Sequence, residues 1–310
     1  MTMNATKWPA RLYALDVSRG VAALSVVIWH WQHFAYQGAS LPKGFEQDSM
    51  PLFSLLKLFY EMGHAGVQYF FLLSGFVFFW LYRAPIRNRK ILPKTFFLQR
   101  FSRLYPLHFV TLLVVALLQM LFIAHDGNFF VYQFNDVYNF FLHLGFANSW
   151  SSSGVFSFNA PAWSVSIEVL LYLIFFPIVL RFNCSWFMCI SISIAAYFLN
   201  EFSPQLFLPA LSIFFYGGFT FHLTKAISGK GMALTYPIVL LTCTLWLLVV
   251  CHFYLVDING LIQLSDIQPI RLLYRVFSPL FSDFILFPLT IVSLALIEID
   301  RGDFLKRMSW

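Results

Sequence analysis

Long apolar runs alternate with short polar breaks along the whole chain, and the runs have the length of bilayer spans. A span needs about 20 mostly apolar residues. Runs that qualify fall at 19–36, 63–82, 104–124, 162–181, 184–200, 205–223, 234–256 and 280–298. A shorter apolar patch at 137–148 suits a re-entrant or interfacial piece. Backbone polar groups in lipid must be satisfied within the segment, so these runs read as helices. The pattern predicts an all-α integral membrane protein, a multi-span helical bundle with about eight spans. No internal repeat and no low-complexity linker divides it, so residues 1–310 read as a single transmembrane domain.

The polar breaks carry the orientation. Arg83, Arg87, Arg89, Lys90, Lys94, Arg100 and Arg103 lie between the second and third runs with no acid among them. Positively charged loops stay cytoplasmic. Lys7 and Arg11 before the first run, and Lys225 and Lys230 after the sixth, then fall on the same side. The opposite loops hold Asp126, Asp136 and Glu201, and the last one balances Asp257 and Asp266 against Arg271 and Arg275. Both termini are expected inside. The first run follows Lys7 and Arg11 and lacks a small-residue cleavage site, so it reads as a retained helix rather than a signal peptide.

Composition strengthens this picture. The chain is 59% hydrophobic and 11% charged, with mean hydropathy +0.72, whereas soluble domains are about 25% charged. The net charge of +6 sits in loops, not on a soluble basic face, which argues against nucleic acid as a partner. Cys184, Cys189, Cys243 and Cys251 lie in apolar runs and read as small buried hydrophobes, not as a disulfide or metal site.

Against such a background, ionisable residues inside runs draw attention, because they are costly there and by default mark a functional interior. Arg19 and His30 are eleven residues apart, about three turns, so they share a helix face about 16 Å apart along the axis. Histidine exchanges a proton near neutral pH. Snorkelling of Arg19 and a satisfied core role for His30 are the competing readings, and His33 reads as interfacial. Arg100 and Arg103, three apart, form a cationic fork suited to phosphate, though topology signalling explains them as well. His108, a turn deeper, reads as a core residue. Glu168 lies about 9 Å below the outer end of the fourth run. Its height overlaps that of His30, so a Glu–His pair is geometrically possible. Trp163, Ser164 and Ser166 precede it, with an aromatic belt and helix packing as the plain alternatives.

Four segments together resemble the membrane-bound acyltransferase-3 family. "LDVSRGVAALSVVIWH" matches its first-helix pattern through Asp16, Arg19 and His30. "GHAGVQYFFLLSGF" matches the second-helix segment through Gly66, Val67, Phe71, Ser74 and Gly75. "RFSRLYP" matches the Arg-x-x-Arg motif, and "PAWSVSIEVLLY" matches the Trp-Ser-x-Ser-x-Glu stretch ending in Tyr172. The motifs cover roughly residues 10–180, and beyond them only hydropathy and "FFYGGF" match. The resemblance implies transfer of an acyl group, most often acetyl, from cytoplasmic acyl-CoA to a hydroxyl of a cell-surface or exported carbohydrate. It further implies a site in a bacterial inner membrane and no metal. It makes His30 the catalytic residue, with Arg19 and Glu168 beside it. Arg100 and Arg103 handle the donor, and Asp16, Trp163, Ser164, Ser166 and Tyr172 take substrate or supporting roles. Many relatives carry one more span after a short basic segment. This chain ends "FLKRMSW", so a missing last helix is expected. The outward loops at 37–62, 126–161 and 257–278, with Trp150, Phe156 and Phe158, are expected to choose the acceptor. The rival from another class is a transporter or flippase of a glycan or lipid precursor. Against it, the sequence lacks the inverted repeat and paired broken helices such proteins show.

Overall fold

The computed structural model describes residues 8–150, 156–228, 230, 232–258 and 279–301. Arg271, Arg275, most of the 257–278 loop and the segment "FLKRMSW" lie outside the described residues. The named elements are all helical. They are α1 (Tyr13–His30), α2 (Phe53–Met62), α3 (Gly66–Leu81), α4 (Arg83–Arg87), α5 (Pro93–Asp126) and α6 (Val137–Leu144), then α7 (Trp163–Arg181), α8 (Trp186–Phe202), α9 (Phe207–Ile227), α10 (Met232–Ile258) and α11 (Phe287–Arg301).

Each expected span has a helix beneath it. Among the described residues, six helical stretches are long and apolar enough to cross a bilayer: 53–81, 93–126, 160–181, 207–227, 232–254 and 279–300. The remaining two expected spans are helical but fall short. In α1, Asp16 and Arg19 dilute the apolar run, and α8 is 17 residues long. The first helix also starts earlier than the expected 19–36. It runs from Tyr13 and closes at His30, and a 3-10 turn, Trp31–Ala35, follows. His30 therefore ends α1 instead of standing midway along a span. The third helix differs most. It begins at Pro93, where proline is tolerated because the missing N–H has no intrahelical partner there. It continues through Pro106 for 34 residues, about 51 Å of rise. That exceeds the roughly 30 Å hydrocarbon core, so Arg100 and Arg103 ride on helical turns instead of in a loop.

The chain forms two compact units. The first comprises Met1–Trp29, Leu52–Phe79 and Ile213–Trp310, and the second His30–Pro51 and Trp80–Ser212. In the first, glycines let backbones meet. A Cβ on Gly66 would come 2.8 Å from the Ala22 carbonyl of α1, and one on Gly75 would collide with the Phe214 backbone of α9. Gly217 answers on the α9 side, where a Cβ would come 2.8 Å from Phe76 N. Close approach through small residues is how membrane helices associate without a hydrophobic driving force. Phe76 and Phe221 pack edge-on at 5.9 Å over this contact. The start of α1 is tied to α11: Glu298, buried, accepts from Tyr13 N at 2.8 Å and Ala14 N at 2.9 Å. Two otherwise unpaired amides at a positive helix end thereby gain a carboxylate. Ahead of α11 the chain widens to a π-turn, Ser282–Leu286, and Tyr216 OH of α9 donates to the Phe284 carbonyl at 3.1 Å.

In the second unit, α4 caps α7. Arg83 donates to the carbonyls of Asn183 and Cys184, at 2.6 and 3.0 Å, and Arg87 donates to the Leu180 carbonyl at 2.9 Å. Cations at a helix C-terminus satisfy its last carbonyls and its dipole. The short apolar patch expected at 137–148 forms the helix α6, capped at its start by Asp136, which accepts from Asn139 N at 2.7 Å.

Candidate active site

Most of the residues singled out in the sequence lie in the second unit. Arg100, half-buried on α5, lays its guanidinium over the Tyr82 ring at 4.5 Å and near the Phe96 ring at 5.9 Å. Such stacking suits a planar guanidinium. Phe96 in turn packs against Tyr172 of α7 at 6.3 Å. The Tyr172 hydroxyl donates to Glu168, one turn earlier on α7. Glu168, Arg100 and Arg103 all act electrostatically on that hydroxyl. Arg103 is exposed, three residues beyond Arg100. The result is a chain of contacts from Arg100 through Phe96 and Tyr172 to Glu168. Tyr82 and Phe96 were not foreseen, because stacking partners in a distant helix leave no periodic mark in the sequence.

His30 also belongs to this unit. Its ring meets His33 edge-on at 5.2 Å, and His33 meets Tyr36 at 5.4 Å and Tyr132 at 6.0 Å. His33 is thus the centre of an aromatic cluster that His30 joins from one side. Burial pushes the Tyr132 hydroxyl up to about 12, so it remains a proton donor at any physiological pH.

The serines of the fourth segment divide. Ser166 is fully buried, donates to the Phe146 carbonyl at 2.7 Å and accepts from Ser149 N at 3.2 Å. Its own carbonyl accepts from Trp150 Nε1 at 3.0 Å. Ser166 therefore fastens the 146–150 segment to α7. Ser164 donates to the Pro161 carbonyl at 3.3 Å, within its own turn. Trp163 is the first residue of α7 and half-buried.

Arg19 and Asp16 lie in the first unit. Asp16 accepts from Arg19 at 2.8 Å and from Arg11 at 2.6 Å, so one carboxylate steadies two exposed arginines. Because α1 is unbroken from Tyr13 to His30, Arg19 and His30 stand about 16 Å apart along its axis. That is too far for both to touch one reacting carbonyl.

Two buried clusters escaped the sequence reading. His108 Nε2 donates to the His143 carbonyl at 2.7 Å, and His143 shares a hydrogen bond with Ser157 at 3.1 Å. His108 is a core residue, as expected. Asp283 is buried in the π-turn with Ser282 beside it at 3.5 Å. Its lone acidic letter in a run carried no spacing signal. No group of three or more metal-ligating side chains occurs among the described residues.

Comparison with known proteins bears on the chain as a whole. The family model for an acyltransferase domain, acyltransferase 3, matches residues 12–298. The chain is similar to Acyltransferase MdmB of Streptomyces mycarofaciens, with 33% identity over 117 residues, 37% of this chain and 28% of that protein. It is also similar to Protein 2 in picA locus of Rhizobium radiobacter, with 36% identity over 108 residues, 35% of this chain and 46% of that protein. The matched stretches span less than half the length of either relative. No solved structure matches. With a family model covering nearly all of its described length and a membrane-spanning helical fold to match, the chain belongs to the acyltransferase 3 family.

Proposed function

We propose that this protein is an integral-membrane O-acyltransferase that moves an acyl group, in the first instance acetyl, from cytoplasmic acyl-CoA to a hydroxyl of an exported or cell-surface carbohydrate. The observation that carries the reading is the chain of contacts linking Arg100, Phe96, Tyr172 and Glu168, with Arg103 exposed three residues beyond Arg100, in the unit that also holds His30. Arg100 and Arg103 bind the donor's phosphates, Arg103 from its exposed position and Arg100 from its seat on Tyr82. His30 takes the proton of the acceptor hydroxyl as the oxygen attacks the thioester carbonyl. A C–O bond forms, the C–S bond breaks, and the proton passes to the departing CoA thiolate. In the covalent variant a ring nitrogen of His30 attacks the carbonyl, an N–C bond forming as the C–S bond breaks and CoA thiolate leaves. The alcohol oxygen then attacks, the N–C bond breaks, and the hydroxyl proton passes to the thiolate. Glu168, which accepts from Tyr172, orients the base or stands nearer the acceptor hydroxyl. Arg19, held by Asp16 and about 16 Å along α1 from His30, guides the pantetheine end of the donor; it does not stabilise the reacting oxygen.

The test is CoA release by purified protein in nanodiscs, with acetyl-CoA and glycans from cells lacking the gene. Acceptor-dependent release is expected, together with its loss in His30→Ala at unchanged thermal stability. Wild-type turnover in that variant removes His30 from the scheme. Movement of a glycan precursor without CoA release would favour a transporter.

A further inference from the structure

Within the first unit lies a cavity of about 430 Å³, walled by α1, α2, α3, α10 and the turns leading into α11. Among the described residues, no charged side chain lines it. The few polar groups on its wall are already satisfied within the wall. Tyr69 OH donates to Ser18 Oγ at 2.6 Å, and Ser18 donates to the Leu15 carbonyl at 2.9 Å. Ser25 donates to the Ala22 carbonyl at 2.7 Å, and Ser282 donates to the Pro279 carbonyl at 3.1 Å. Trp246 Nε1 donates to Thr290 at 2.9 Å, and Thr290 donates to the Leu286 carbonyl at 2.7 Å.

Buried water needs two to four polar partners, and this wall has few to give. An apolar space of this size left empty forfeits dispersion contacts all along its lining, a severe penalty for a marginally stable fold. The helices that frame it include the stretches 53–81, 232–254 and 279–300, long and apolar enough to cross a bilayer, so the medium beside them is hydrocarbon. We propose that this cavity is a binding site for one hydrocarbon chain of a membrane lipid. On α1 the lining residues Ser18, Val21, Ala22 and Ser25 follow helical spacing and form one face, while Arg19 projects about 100° away. The lipid chain therefore packs against the helix that carries the Asp16–Arg19 pair without meeting that pair. Occupancy of this site does not depend on the proposed reaction.

Trp246 in the wall is a built-in reporter. Detergent-solubilised full-length protein is titrated with phosphatidylcholine brominated on its acyl chains. The part of the tryptophan quenching that disappears in Trp246→Phe is followed. Saturation at about one lipid per chain is expected. Val249→Phe and Ala65→Leu, each adding bulk to the wall, are expected to abolish the saturable component while circular dichroism stays helical. Two independent fillers keep the test decisive if one fails to fold. Quenching that rises in proportion to lipid without saturating, or that survives in a folded filler variant, overturns the site. Displacement of the brominated lipid by palmitoyl-CoA, with palmitoyl transfer to a glycan, overturns the lipid assignment in favour of the donor's own chain.

Discussion

Asp16 holds Arg11 and Arg19 at once. Removing its charge in Asp16→Asn releases Arg19 to solvent. Exposed pairs contribute at most about 1 kcal/mol to stability, so the unfolding midpoint should barely move. The Michaelis constant for acyl-CoA should rise severalfold with kcat little changed, which steady-state kinetics would read. The two arginines proposed to hold the donor should differ in kind. Arg100 is stacked on Tyr82, so Arg100→Lys should behave like Arg100→Ala, because a lysine ammonium cannot reproduce a stacked plane. Exposed Arg103 should tolerate lysine. Loss of a charge-assisted phosphate contact is worth about 1.5–3 kcal/mol, a ten- to hundredfold rise in the Michaelis constant for Arg103→Ala. His143 supplies the pH dependence. Burial chiefly, and His108 next, push its basicity down to about 4, with Ser157 opposing. An unfolded histidine titrates near 6.5. Between those values the unfolded chain binds more protons, so stability is full above about pH 6.5 and falls as pH drops towards 4. Thermal unfolding across that window should show the slope, and His143→Gln should flatten it.

At the level of helices, glycine spacing explains what hydropathy could not. The segments "LLSGF" and "FFYGGF" lie far apart in sequence, yet Gly75 and Gly217 set α3 and α9 backbone to backbone. Gly75→Ala should therefore destabilise by about 1–3 kcal/mol, visible as a lowered unfolding midpoint in detergent, whereas Gly20→Ala, which meets nothing within 4 Å, should not. The positions of most helices were legible because a long apolar run in lipid has one solution. The lengths of α1 and α5 were not. Hydropathy sees the apolar middle of α5, but the helix continues through Lys94, Arg100 and Arg103, where polar side chains cover an amphipathic turn. The roles of the loop arginines were equally hidden. Arg83 and Arg87 share the composition of Arg103, yet they close the end of α7, and only the fold distinguishes them.

For the molecule as a whole, the basic segment between α3 and α5 predicts a cytoplasmic location for it and for the N-terminus. A reporter active only in the cytoplasm, inserted near Lys90, should be active, and one inserted near Asp126 silent. The candidates His30, Arg100 and Glu168 could be named from the family's motifs. The contacts around them, such as the Arg100–Tyr82 stack and the His33 ring against His30, could not, because they are pairings that exist only in the fold. The grip of Glu298 on the start of α1 was hidden for the same reason. That grip joins positions 284 and 285 residues apart. During synthesis the first helix leaves the ribosome long before its partner exists. Its opening amides must wait, provisionally hydrated at the membrane surface, until Glu298 is translated and inserted.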